Sequence, residues 1–228
     1  MKTIITIILL LTLFHCRMKP EVKPNLPKQS SAVVFELVVP KIFMGHFYPE
    51  KVILLKLDKS KKNLSELQMI ETNFFSISRY YVLNIEPGEY AIVAAHVHEK
   101  DPNTQKDANV YYVLDRENLE KSKFTVKPNQ VQILGKYVVG FNKTELGTDH
   151  DMDNVGESII GSFKTSLTAK IGAAIVSTVL TGGADQTDSS GYAGFTDINQ
   201  SKEMIEEIKK QSKLDFEETA WSSIPIEQ

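Results

Sequence analysis

The sequence predicts a mainly β protein with C-terminal helices, more specifically an antiparallel β-sandwich of about seven or eight strands plus two α-helices. Three observations predict this class. Short runs of β-branched and aromatic residues recur between turn signals, no long helical pattern interrupts them before residue 142, and beyond it apolar residues recur at steps of three and four. The chain has 228 residues, of which 42% are hydrophobic, so it can build one domain, or one domain with an appendage.

The N-terminus carries the pattern of an export signal. Lys2 precedes an apolar run over residues 4–14, which is too short for a membrane-spanning helix, so residues 1–15 are predicted to be a signal peptide. The run ends in Leu13-Phe14-His15-Cys16, which resembles the relaxed lipobox of spirochaete-like bacterial lipoproteins. The resemblance implies a lipid on Cys16, the only cysteine in the chain, and a place in the cell envelope at the outer membrane. An ordinary signal followed by an incidental cysteine is the alternative.

Residues 16–31 are predicted to be a lipid anchor followed by a tether. Prolines keep such a segment extended, so we expect it to space the folded body from the bilayer. The lysines either remain solvated or touch anionic headgroups. Lysines and prolines alternate along the tether: Lys19, Pro20, Lys23, Pro24, Pro27 and Lys28.

Strands are expected wherever a β-rich run is bounded by Gly, Pro, Asp or Asn. The best-defined run, over residues 79–98, reads RYYVLNIEPGEYAIVAAHVH. Pro87 and Gly88 favour a type II turn between its two arms, which predicts a strand–turn–strand hairpin. The pattern returns at residues 124–131 with Asn129 in place of glycine, which indicates either one turn type used twice or an internal duplication. The other expected strands are residues 32–39, 52–57, 74–77, 110–114, 124–126 and 131–141.

A family resemblance joins these runs. The segment 79–98 together with FTVKPNQVQILGKYVVG at residues 124–140 resembles the prealbumin-like, or DUF2846-type, β-sandwiches of bacterial lipoproteins. The resemblance covers residues 32–141, which form the predicted sandwich domain. It implies an accessory module without a catalytic site, and it implies no functional residue.

Residues 142–228 are predicted to form a helical C-terminal extension. A helix over residues 155–180 has an apolar stripe and a small face, Ala169–Ala173–Ser177. It packs within its own chain, self-associates or touches a membrane; we expect internal packing and therefore a monomer. A Gly- and Ser-rich loop over residues 184–196 leads to a second helix over residues 198–213, where Asp197 and Gln200 resemble a capping box. Trp221 is expected to fill an apolar groove and hold the tail.

One loop, over residues 41–51, is unusually aromatic. Covering the core is one explanation, and an exposed apolar rim for a protein partner is the other. The candidate partner-binding residues are Phe43, Met44, Phe47 and Tyr48.

Two groups of residues could bind a metal ion. His96 and His98 project from one face of a predicted strand, with Glu99 nearby, but no third ligand follows in the sequence. Residues 149–154 begin like a calcium loop, yet the glycine is missing and the final ligand position falls on Ile160. Structural histidines and an acidic turn before a helix are the alternatives. The acidic candidates are Asp149, Asp151 and Asp153.

Charge and motifs limit the function classes. The formal net charge is −3 and no long basic run follows the tether, which argues against nucleic-acid binding. The sequence has no phosphate-binding loop, no GxSxG, no HExxH and no cysteine pair, and no cofactor is expected. The sequence therefore predicts a lipid-anchored envelope protein with a non-catalytic binding or structural module. An exported metal-dependent hydrolase, using His96 and His98 or the 149–153 turn, is the alternative.

Overall fold

A computed structural model describes residues 18–25, 30–40, 46–100, 107–140, 152, 154–159 and 187–227. The mainly β class with helices is confirmed. Two α-helices, Arg116–Lys121 and Lys202–Phe216, accompany the strands, residues 154–159 are also helical, and 3-10 turns span Leu64–Glu66 and Ala220–Ser223. The described strands are β1 (Ala32–Pro40), β2 (His46–Phe47), β3 (Lys51–Lys56), β4 (Gln68–Glu71), β5 (Phe74–Ser76), β6 (Arg79–Leu83), β7 (Gly88–Lys100), β8 (Asp107–Leu114), β9 (Phe124–Val126), β10 (Val131–Gly140), β11 (Thr187–Asn199) and β12 (Ile226–Glu227).

The strands form one curled, mixed sheet. Its order is β4-β3-β7-β8-β11-β10-β1-β6-β5, and β2, β9 and β12 pair with β1, β7 and β10 beside this path. Three pairings are parallel, namely β1 with β10, β8 with β11, and β10 with β12. The prediction of antiparallel pairing throughout is therefore wrong. Side chains alternate with period two in both kinds of ladder, so the sequence pattern does not report strand direction.

The predicted hairpin at Pro87-Gly88 does not form. Strand β6 pairs with β1 and β5, whereas β7 pairs with β3, β8 and β9, so the chain passes from one part of the sheet to another. Just after β6, Asn84 is left-handed with φ of 61°. Asn129, which the repeated pattern aligns with Gly88, has a left-handed φ of 63°, whereas Gly88 has a φ of 155°. Asn84 is held there because its side chain binds the backbone of residues 23 and 25.

Strand β11 corrects two predictions for the C-terminal part. In place of a loop over residues 184–196, Thr187–Asn199 is a strand that pairs with β8 on one side and β10 on the other. Few β-branched residues occur there, so pairing on both edges, rather than propensity, explains the strand. The sheet thus draws on residues from both sides of the boundary predicted at residue 142. The following helix is Lys202–Phe216, and Ser201 caps it instead of Asp197.

Most of the helix predicted over residues 155–180 lies outside the described residues. Residues 154–159 are helical, which agrees with the start of the prediction. The small face Ala169–Ala173–Ser177 is not among the described residues, so its role stays a prediction.

The described start of this helix covers one face of the sheet. Met152, Val155 and Ile159 are buried there, in a cluster that includes Leu55 of β3 and Tyr111 of β8. These contacts are made within the chain, as the expectation of internal packing requires for this part of the helix.

The main core lies inside the curl of the sheet. One buried cluster takes Phe35 of β1 and Tyr80 of β6 from one end of the strand order, and Leu54 of β3 and Ile92 of β7 from the other. Residues far apart along the strand order therefore meet in a single core.

A third cluster lies under the C-terminal helix. Trp221 is 1% exposed there and stacks on Phe216 with ring centroids 5.8 Å apart. The prediction that Trp221 fills an apolar groove is confirmed.

Candidate functional site

The predicted metal ligands are not brought together in the described part of the chain. His96 is 1% exposed, its ring stacks on Tyr111 at 4.7 Å, and its Nδ1 lies 3.5 Å from Oε2 of Glu50. His98 is exposed on the same strand. No group of three or more His, Cys, Asp or Glu suited to a metal occurs among the described residues. The other candidates, Asp149, Asp151, Asp153 and the proposed lipid site Cys16, lie outside them.

The aromatic loop is described only at its end. Phe47 is half-buried and packs against the main core, while Tyr48 is 48% exposed with its ring 6.1 Å from that of Phe75. Phe47 therefore covers the core, and Tyr48 presents aromatic surface to solvent. Phe43 and Met44 lie outside the described residues, so the partner-binding surface stays a prediction.

A buried polar network joins the C-terminal helix to the sheet. Asp215, fully buried, accepts four hydrogen bonds from three side chains of β5 and β6. Arg79 donates through Nε at 2.8 Å and through Nη2 at 3.2 Å, Ser76 donates at 2.8 Å, and the Tyr81 hydroxyl donates at 2.6 Å. Ser212 lies 3.1 Å from the same Tyr81 hydroxyl. All five side chains are nearly inaccessible to solvent, so this network fixes the helix on the sheet rather than meeting a ligand.

The protonation states suit this role. Burial lowers the pKa of the Arg79 guanidinium, but its hydrogen bonds to Asp215 and the nearby charges outweigh burial, and the net pKa is raised. Burial, followed by the negative charge of Asp215, raises the pKa of the Tyr81 hydroxyl above its ordinary value. The guanidinium therefore stays charged and the phenol stays a neutral donor at physiological pH.

The sequence does carry a signal for this network, although motif searching misses it. Buried positions of the C-terminal helix follow steps of three and four, and Ser212 and Asp215 occupy that stripe after Ile205 and Ile208. A carboxylate on the apolar stripe of a helix requires a buried partner. The partner, Arg79, lies 136 residues away, so spacing alone could not identify it.

The N-terminal segment, residues 18–25, is bound to the folded body. Lys19 donates from Nζ to the carbonyl of Leu214 at 2.9 Å, and Trp221 donates from Nε1 to the carbonyl of Val22 at 2.6 Å. Asn84 donates from Nδ2 to the carbonyl of residue 23 at 2.8 Å and accepts from the backbone of residue 25. The described part of the predicted tether is therefore not a solvated spacer, because the body supplies partners for its backbone.

The described structure includes the following two surface depressions. One, of about 520 Å³, lies between the β3–β4 connection and β7, and its charges alternate in sign, as with Lys59 and Glu89. The other, of about 270 Å³, lies beside Trp221 and is lined by Lys213 and by the tail residue Ile224, among others. Neither depression has a buried ionisable side chain that faces its open space.

Comparisons of the chain with protein-family models, curated protein sequences and solved structures give no match. Among the described residues, no helix is both long and apolar enough to cross a membrane.

Proposed function

We propose that this chain is a lipid-anchored cell-envelope protein, held at the outer membrane through Cys16, whose β domain is a non-catalytic binding or structural module. The observation that carries the proposal is the path of the chain behind Cys16. From Lys19 onward the segment is hydrogen-bonded to the C-terminal helix, Trp221 and Asn84. A lipid at Cys16 would therefore lie close to a fixed part of the fold.

The finer description of the fold belongs to the same proposal. The main core cluster draws on both ends of the strand order, which favours a sandwich-like arrangement of the DUF2846 type that the sequence resembles. An experimental structure in which β1 and β6 do not face β3 and β7 across this cluster would contradict it.

The anchor is tested by metabolic labelling with a palmitate analogue in a bacterial host that processes lipoproteins. The wild-type chain should be labelled, and Cys16→Ala should abolish labelling, since no other cysteine exists. Ser60→Ala, at an exposed position, is the matched control and should keep the label. Labelling that survives Cys16→Ala would overturn the proposal.

The competing hydrolase needs more ligands than the described residues provide. His96 is buried and stacked on Tyr111, while His98 is exposed. The two histidines therefore occupy different environments, and no group of three His, Cys, Asp or Glu around them in the described structure suits a metal ion. The observed geometry gives this alternative no specific support.

A further inference from the structure

The short connection between Cys16 and the folded body limits how far the body can lie from a membrane. Met18 is the first described residue, and Lys19 is already hydrogen-bonded to Leu214. Met18 follows Cys16 by two positions, and a fully extended chain covers at most about 7 Å over that distance. A lipid on Cys16 therefore brings the surface around Met18 to the membrane interface.

Part of the surface at this point is apolar. Five large hydrophobic side chains are exposed among the described residues. Three of them, Met18 at 67%, Val22 at 36% and Leu214 at 39%, belong to the N-terminal segment and the helix end that it contacts. We call these three residues the docking face. Exposed apolar side chains on two elements that contact each other indicate a contact surface.

Charged side chains explain membrane binding by this surface less well than the exposed apolar side chains do. In the segment, Glu21 lies between Lys19 and Lys23, and on the helix side Lys213 is followed by the exposed Glu217. These side chains together carry a net charge of only about +1, so attraction to anionic lipids is not the main source of binding.

We propose that the docking face lies against the bilayer that holds the Cys16 lipid, with Met18, Val22 and Leu214 inserted at the level of the headgroups. Apolar residues at an interface gain free energy in proportion to the area that they bury. The anchor and the docking face then act as two linked contacts, and the β domain is held in one orientation. This inference rests on the proposed lipid anchor.

The test uses the full, lipidated chain in vesicles of phosphatidylcholine and phosphatidylglycerol that carry a headgroup-level spin-label quencher. Because Cys16 is modified, Leu214→Cys supplies a single free thiol for a fluorophore. Ser60→Cys, exposed in the turn after β3, is the matched control. We expect fluorescence at position 214 to be quenched severalfold more than at position 60, and to remain so in high salt.

The outcomes separate the two proposals. Flotation of the labelled protein with the vesicles establishes the anchor, and its loss in Cys16→Ala confirms the lipid as the cause. Equal quenching at positions 214 and 60 in a protein that floats would overturn the docking face while leaving the anchor intact. Quenching at position 214 that disappears in high salt would also overturn it, because an apolar contact is not screened.

Discussion

Two of the described helical elements that cover the sheet do so by different physical means. The apolar cover is defined by the described residues Met152, Val155 and Ile159, which pack against hydrophobic side chains of the sheet. The C-terminal cover consists of the Lys202–Phe216 helix and the turn Ala220–Ser223. It adds a buried Arg79–Asp215 ion pair to its hydrophobic contacts.

The two kinds of contact have different consequences for a helix: apolar burial attaches it to the sheet, and directional hydrogen bonds fix its position there. Burial of apolar surface is non-directional, so it attaches a helix without fixing its rotation or its shift along the axis. Four hydrogen bonds to one carboxylate, two of them from a single guanidinium, permit one geometry. We infer that the C-terminal cover is the positioned one, which suits a helix that also binds the N-terminal segment.

The largest expected effect comes from removing the carboxylate. Asp215→Ala leaves the Arg79 guanidinium buried without a counter-charge, and loss of one partner of a buried pair costs about 3–5 kcal/mol. Urea denaturation should show this loss in the free energy of unfolding. Lys210→Ala, at an exposed position of the same helix, is the control and should change it by less than about 0.5 kcal/mol.

A double replacement sharpens the same measurement. Arg79→Met combined with Asp215→Leu removes both charges, and such replacements often restore stability. If the pair positions the helix, the double variant should regain stability while hydrogen exchange accelerates in residues 18–25. A loss in Asp215→Ala no larger than in Lys210→Ala would remove the distinction between the two covers.

An intermediate effect is expected from Tyr81→Phe. The substitution keeps the ring but deprives Asp215 of its shortest hydrogen bond, at 2.6 Å, and an under-satisfied buried group costs about 1–3 kcal/mol. Thermal or urea unfolding measures the change. Tyr90→Phe is the matched control, since its hydroxyl donates to the carbonyl of Glu86 at a partly buried site. Similar losses of stability in both variants would show that the Tyr81–Asp215 hydrogen bond contributes no more than an ordinary hydrogen bond.

The smallest expected effect tests apolar packing, which both covers share. Ile159→Val in the apolar cover and Ile208→Val in the C-terminal cover each delete one methylene from a buried side chain. Each should lower the free energy of unfolding by about 0.5–1.5 kcal/mol. Equal losses support the view that only the polar network distinguishes the covers. An unchanged stability in Ile159→Val would mean that the apolar cover does not contribute its packing.

The sequence predicted local structure better than pairing. Alternation located most strands, and the buried position of Trp221 followed from its size and hydrophobicity. Strand direction did not follow, because parallel β1–β10 and antiparallel β1–β6 ladders impose the same alternation. Strand β11 was missed because its residues have turn-like propensities, and only its two neighbours make it a strand.

For the candidate sites too, the sequence predicted local structure but not contacts between distant residues. His96 and His98 were correctly placed on a strand, but spacing could not show that one is buried and the other exposed. The N-terminal segment was predicted to be a spacer from its prolines and lysines. Its partners, Leu214 and Trp221, are almost the whole chain away, so no local pattern could reveal them.

These distant contacts also set an order of events during synthesis. Lys19 and Val22 bind groups that lie 195 and 199 positions later in the chain. These two hydrogen bonds therefore cannot form until Leu214 and Trp221 have been synthesised. Until then, of the contacts described above, residues 18–25 can form only those with Asn84, and the Lys202–Phe216 helix and the turn after it complete their attachment to the body.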